Sequence, residues 1–313
     1  MIRFDKYEWM AISIMVSLCI LVGFIQGWSV SLVILNMCII SAIMTMGVNI
    51  SWGYAGVINF GVMGFLAMGG LAAVLVSYPP VKEAWHVGGS GLGISFILLV
   101  VLVTAVYFIT KLVEKKSHKY WLNGLVIFFG LIIIRYFFLN ATDKIEEVDP
   151  ALAGFLGGAN LPIIFSWAVG GFFAGGVAFV IGKVALGLRS DYLAIVTLGI
   201  SEIVVSVLKH EEWLSRGVKN VIGLKRPVPY EINLQTSEWF INMVTWFNSS
   251  KLNDIIDLDQ KQEMLTNLVI DSSSLFVKLN YAVLFFIVMI VIYYFANKAQ
   301  VSPWGRMMRA IRD

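Results

Sequence analysis

The sequence predicts an all-α polytopic membrane protein of about eight transmembrane helices, with both termini inside the cell and one long external segment. Three observations carry that prediction. Of 313 residues, 58% are hydrophobic and 14% charged, against about 25% charged in a typical soluble domain, and the mean hydropathy is +0.81. So little polar surface cannot cover this much apolar side chain in water, which excludes a cytosolic enzyme, a disordered chain and a nucleic-acid module. Eight apolar stretches reach or approach the ~20 residues that cross a bilayer core, and Lys and Arg fall on one side of them.

The stretches are 9–25, 29–50, 55–76, 94–110, 122–139, 163–186, 192–209 and 280–296. The first follows Asp5 and Glu8, and no small-residue cleavage site trails it, so it reads as a span and not as a signal peptide. With the N-terminus inside, the inner segments hold Arg3, Lys6, Lys111, Lys115, Lys116, Lys119, Arg189, Lys298, Arg306, Arg309 and Arg312. Short external loops then hold Lys82 and Lys144, a partition of eleven to two that follows the positive-inside rule. Asp143, Glu146, Glu147 and Asp149 also fall outside, as does the mixed-charge segment 210–279, which is too long for that rule to govern.

Within the third stretch and its approach, Gly53, Gly56, Gly61, Gly64, Gly69 and Gly70 crowd together. Small residues let helices pack closely in lipid, as would the pair Gly171 and Gly175. The denser cluster also fits an irregular or broken segment over 53–61, which at membrane depth would have to line protein or water. Cys19 and Cys38 lie in apolar runs and imply no disulfide framework.

No fuel-burning or metal chemistry is evident. The Gly182-Lys183 pair lacks the phosphate-loop pattern, with Val177 where its first glycine belongs and Val184 where Ser or Thr is required. His86, His118 and His210 are far apart, without ligand spacing, and no cofactor is expected. Ionisable residues inside spans are the better clue. Glu202 sits mid-span among Thr197, Ser201 and Ser206, and a charge there costs about 2.5–3.5 kcal/mol on insertion scales. It either lines a polar path or makes an interhelical hydrogen bond. Arg135, four residues from its span's outer end, reads as a snorkelling side chain.

The last residues form a separate unit. Ser302 suits an N-cap and Pro303 a first turn. Trp304, Met307, Met308 and Ile311 follow an i, i+3, i+4, i+7 stripe, with Arg306, Arg309 and Arg312 off it. Such a short basic amphipathic helix lies on anionic lipid or fills a partner's groove. In the external segment, Trp239-Phe240-Ile241 and Trp246-Phe247 fit short amphipathic helices on the outer surface or a docking site for an external partner.

Four stretches, in this order, resemble the permease subunits of branched-chain amino acid ABC importers, of the smaller LivM type. They are Gly53-Tyr-Ala-Gly-Val-Ile-Asn-Phe-Gly61; Leu188-Arg-Ser-Asp-Tyr-Leu-Ala-Ile-Val-Thr-Leu-Gly199 with Glu202; the loop from Glu211 to Pro227; and Ser302-Pro-Trp-Gly-Arg306 with Arg309-Ala-Ile-Arg312. Departures are Asn59, where a serine is common, Val62, where a histidine often follows, and Arg216, Asn220 and Lys225 in the external loop. The spans 94–110 and 122–139 look like an inserted pair, and 228–279 is longer than usual. The family's chain runs on past the position of Asp313, which predicts a truncated gene, a split subunit or a fragment.

The resemblance implies one permease domain over 1–313, with 210–279 extracytoplasmic and 302–313 opening the cytoplasmic coupling loop. It implies a bacterial plasma-membrane protein working with a second permease subunit, two ABC ATPases and an extracytoplasmic binding protein. By that resemblance Ser302, Pro303, Trp304, Gly305, Arg306, Arg309 and Arg312 contact an ATPase, while Tyr54, Asn59, Thr197, Ser201 and Glu202 lie nearest the path. The chain itself is then a transport subunit and no enzyme. A urea or short-amide importer, and a self-contained channel or secondary transporter, are the alternatives.

Overall fold

The computed structural model describes residues 6–112, 116–150, 154–185, 187–253 and 257–312, and among them every regular element is helical. Seven helices are long and apolar enough to cross a membrane. Of the basic residues that set the expected orientation, Arg3, Lys115 and the side chains of Lys116 and Arg312 lie outside the described set. The chain divides into two units, one of Met1–Asn59 with Arg226–Asp313 and one of Phe60–Lys225.

In the first unit, α1 (Lys6–Gln26) turns at Gly27 into α2 (Trp28–Asn49). Gly27 has φ +99°, a conformation that glycine alone adopts without strain. The two helices are joined where the Ser31 hydroxyl donates to the Cys19 carbonyl at 2.7 Å. A π-helical turn, Ile50–Tyr54, ends α2. After the connection come α9 (Glu231–Gln235), α10 (Glu238–Phe247), α11 (Ser249–Asn253), α12 (Leu258–Val301) and α13 (Pro303–Arg312). At 44 residues, α12 is about 66 Å long, twice the thickness of a hydrocarbon core. The sequence-based span 280–296 is therefore its C-terminal part. Its N-terminal part is helical because Val269, Ser273 and Val277, four apart, bury one face against Leu234, Phe240 and Val244. Gln235 Nε2 donates to Ser273 Oγ at 2.9 Å across the same seam.

The second unit holds α3 (Val62–Ser77), α4 (Lys82–Leu112), α5 (Lys116–Glu146), α6 (Ile163–Ala185), α7 (Ser190–His210) and the short α8 (Glu212–Ser215). The expected third span, 55–76, is not one continuous helix. Residues 55–61 are non-helical and α3 is a 16-residue piece, shorter than a full crossing. The glycine-rich approach is thus the broken segment that its composition suggested, with Gly56 at φ +65°.

Packing in this unit runs through small residues. Gly170 of α6 meets α3 so closely that a Cβ there would lie 3.3 Å from Gly69 Cα and 3.4 Å from Ala72 Cβ. The expected pair Gly171 and Gly175 does not make that contact; a Cβ at either would meet no other described element within 4 Å. The same device holds α4 and α5 together. Gly88 faces Ile145 and Ala141, and Gly91 faces Ala141, at distances where an added methyl would collide. At 31 residues each, both helices extend well past the spans 94–110 and 122–139, because their ends pack on the chain itself. Trp213 of α8 donates its backbone N–H to Glu146 Oε1 at 3.2 Å and sets its ring edge-on to Phe138 at 5.5 Å. Beside the end of α3, Gly157 and Gly158 let the irregular segment 154–161 pass, with Ala159 and Leu161 amides bonded to the Leu75 and Val76 carbonyls at 2.9 Å each.

Candidate functional site

Breaking a helix within a membrane leaves backbone N–H groups that lipid cannot satisfy, at a cost of several kcal/mol each. At the start of α3 the N-cap is Gly61, which has no side chain to offer. Its carbonyl accepts the Gly64 amide at 3.2 Å, and the side-chain acceptors come from α7. Thr197 Oγ1 accepts the Phe60 amide at 3.2 Å, and Ser201 Oγ accepts the Gly64 amide at 2.7 Å. Four residues separate the two hydroxyls and four separate the two amides, so one turn of α7 serves one turn of the α3 entry. Both side chains are sealed from solvent, 3% and 2% exposed. Gly64 is required by this approach: a Cβ would stand 3.0 Å from Ser201 Oγ and 3.1 Å from its Cα.

Thr197 and Ser201 therefore brace the break from behind. Glu202, the next residue, points another way. It is exposed, lies near the middle of α7, and makes no hydrogen bond or ion pair with the described residues. A carboxylate at that depth needs water or a partner.

Tyr54 and Asn59 belong to the other unit. Tyr54 closes the π-helical turn and is half-buried, as is Asn59. The turn is wound wide: Val57 N–H reaches back to the Ser51 carbonyl at 3.0 Å and Gly56 N–H to that of Trp52 at 3.1 Å. Single π-helical turns recur at functional sites because they displace a side chain from helical register. An open groove of about 660 Å³ runs beside this one, lined by Thr45, Val48, Asn49, Trp52 and Gly53 among others.

The same turn touches α13. Ser302 caps α13 as expected, its Oγ accepting the Gly305 amide at 3.4 Å and donating to the Ala299 carbonyl at 2.5 Å. Pro303 takes the first helical position. Gly305 is buried, and a Cβ there would lie 2.2 Å from the Gln300 carbonyl oxygen, so only glycine lets α13 fold back on the end of α12. Arg309 donates to that same carbonyl at 3.4 Å. The inward face is thus Gly305 and Met308, while Trp304 and Met307 remain 48% and 55% exposed beside Arg306 and Arg309. The stripe that the sequence shows is divided between the chain's own body and a free surface.

The sequence did not reveal that the Phe60 and Gly64 amides are what the α7 hydroxyls bind, although the matched spacing was available. Nor did it single out Gly305 as the contact point of α13.

Seven apolar helices long enough to cross a bilayer, a shortened helix entered through a broken approach, and braces supplied by a neighbouring helix define, among the described residues, an all-α multi-pass membrane protein. Residues 30–313 match the family described as "Branched-chain amino acid transport system / permease component". The chain belongs to that family and is a membrane permease component of a transport system. No curated protein and no solved structure matches it.

Proposed function

We propose that this permease is the membrane subunit of an ATP-driven importer that carries branched-chain amino acids delivered by an extracytoplasmic binding protein. Two such permease subunits form the path, and two ABC ATPases drive it. The protein sits in a bacterial plasma membrane, with α13 on the cytoplasmic side and α9–α11 outside.

The observation that carries this reading is the seat of α13. A basic helix with Trp304 and Met307 exposed is packed, through Gly305 and Met308, on the end of α12 and against the π-helical turn. An ATPase that grips Trp304, Met307, Arg306 and Arg309 then has a rigid connection to Ile50–Tyr54 and to the broken segment that follows. Ser302, Pro303 and Arg312 complete that docking element. On the path itself, Glu202 supplies a charge with no partner among the described residues, and Tyr54 and Asn59 flank the break. Thr197 and Ser201 contribute by holding the break open from their buried positions.

Co-purification tests the reading. A tagged chain expressed with its neighbouring transport genes is expected to bring down an ABC ATPase and a second permease, and the binding protein is expected to select leucine, isoleucine or valine. Uptake by vesicles holding this chain alone, without ATP, would instead establish a self-contained carrier. Selection of urea or a short amide by the binding protein would overturn the substrate assignment.

A further inference from the structure

The first unit carries its own ruler for the bilayer. Lys278 and Lys298 bracket a stretch of α12 that contains no charged residue. Twenty residues of helix span about 30 Å, the thickness of the hydrocarbon core. Lys278 Nζ donates to Ser29 Oγ, at the start of α2, so the α1–α2 turn lies at the same level. Trp28 and Phe24 meet there edge-on at 5.5 Å, both exposed.

Helix α10 lies against α12 at this level. Phe240 and Trp239 meet the Phe276 ring at 5.6 Å and 6.1 Å, and Phe276 is two residues, about 3 Å of helix rise, from Lys278. At 100° per residue, α10 divides into three sectors. Phe240 and Val244 are buried against α12. Glu238, Asn242 and Thr245 form a polar side. Trp239 and Trp246, seven residues apart, run as an edge between the two, 56% and 72% exposed. Trp is the residue that stands at membrane interfaces, with its ring in apolar matter and its N–H near the head groups.

Beside that edge an apolar groove of about 330 Å³ is lined by Trp28, Leu32, Phe247, Leu275 and Leu279 among others. Leu279 also lines a second groove, of about 480 Å³, which continues along α1, α2 and α12 past Leu35, Ile39, Val283 and Phe286. A trough that starts at head-group level, where Asn248 and Ser272 join its walls, and descends past apolar side chains has the form of a lipid with its acyl chain.

We propose that α10 is a membrane-interface helix and that it seats a phospholipid of the leaflet opposite α13, with the head group at the Trp239–Trp246 edge and one acyl chain in the trough that begins at Leu279. The occupant is lipid because the face is continuous with the charge-free surface of α12 and lies at the depth that Lys278 marks. The inference rests on the chain being a membrane protein and is independent of what it carries.

Quenching of Trp fluorescence tests it. The full-length chain is reconstituted into phosphatidylethanolamine–phosphatidylglycerol vesicles, with or without bromine on the acyl chains, and compared with the W239F/W246F variant. Both positions are exposed, and phenylalanine at 239 keeps a ring against Phe276; W246F alone, away from that contact, provides a milder check. The emission lost in the double variant is the signal of the two residues. Brominated lipid is expected to remove most of that signal, as for rings seated at the interface, while aqueous iodide leaves most of it. Strong quenching by iodide with none by brominated lipid would put the edge in water and overturn the proposal. Resistance to both quenchers would mean that protein covers the edge, and would overturn it equally.

Discussion

Ser201 Oγ accepts the Gly64 amide at 2.7 Å, across 137 residues of sequence. The bond does for α3 what its own N-cap, Gly61, cannot do. A helix started afresh inside the membrane needs such an external acceptor, and the neighbouring Thr197–Phe60 bond repeats the solution one turn away.

Ser201→Ala should therefore destabilise the protein out of proportion to the one atom removed. It removes the shorter of the two acceptors of a buried amide and leaves the Gly64 N–H with the Gly61 carbonyl at 3.2 Å, at a cost of about 1 kcal/mol. Gly64→Ala should act in the same direction, because its Cβ would press on Ser201 at 3.0–3.1 Å. Thermal unfolding of the purified protein in detergent checks both. A Tm equal to that of the parent in either variant would remove the bracing role.

Glu202→Gln separates path from packing one residue away. The carboxylate makes no bond within the described chain, so Tm should stay unchanged while uptake falls severalfold. Full uptake by the amide would reduce Glu202 to a hydrogen-bonding contact, since an amide can satisfy a packing bond without carrying charge.

These two cases show how much could be read from sequence. Thr197, Ser201 and Glu202 share one polar stretch, and residue type alone makes all three look alike. Burial and register divide them, because 100° of rotation turns Ser201 inward and Glu202 outward. The membrane class, the break near Gly53–Gly61 and the Ser302 cap were legible because composition, glycine density and capping are local properties. The length of α12 was not: its amphipathic N-terminal half owes its helicity to contacts with Leu234, Phe240 and Val244. Nor were the partners of the small residues. Gly170 and Gly171 are neighbours in sequence, and only the crossing with Gly69 decides which of them packs.

Gly158→Ala should prevent accumulation of folded protein. The added carbon would fall 2.3 Å from the Val74 carbonyl oxygen and 2.6 Å from that of Leu75, and backbone cannot yield there. The bonds of segment 154–161 to the end of α3 would be lost with it. A normal yield of monodisperse protein would show that this passage is not needed for folding.

Gly305→Ala should disconnect drive from transport. With a Cβ 2.2 Å from the Gln300 oxygen, α13 cannot keep its seat on α12 and the π-helical turn. Membrane insertion and ATP hydrolysis by the assembled complex should persist, while uptake drops about tenfold, equivalent to about 1.4 kcal/mol in the barrier to transport. A parallel loss of hydrolysis and uptake would place the defect in assembly.

The most direct measurement is uptake of labelled leucine by proteoliposomes that hold the assembled complex, with binding protein outside and ATP within, for the parent and for Arg309→Glu. The account predicts ATP-dependent uptake in the parent, and in the variant hydrolysis without uptake, because the reversed charge spoils the ATPase-facing surface of α13. Uptake that needs no ATP, or that survives Arg309→Glu unchanged, would contradict it.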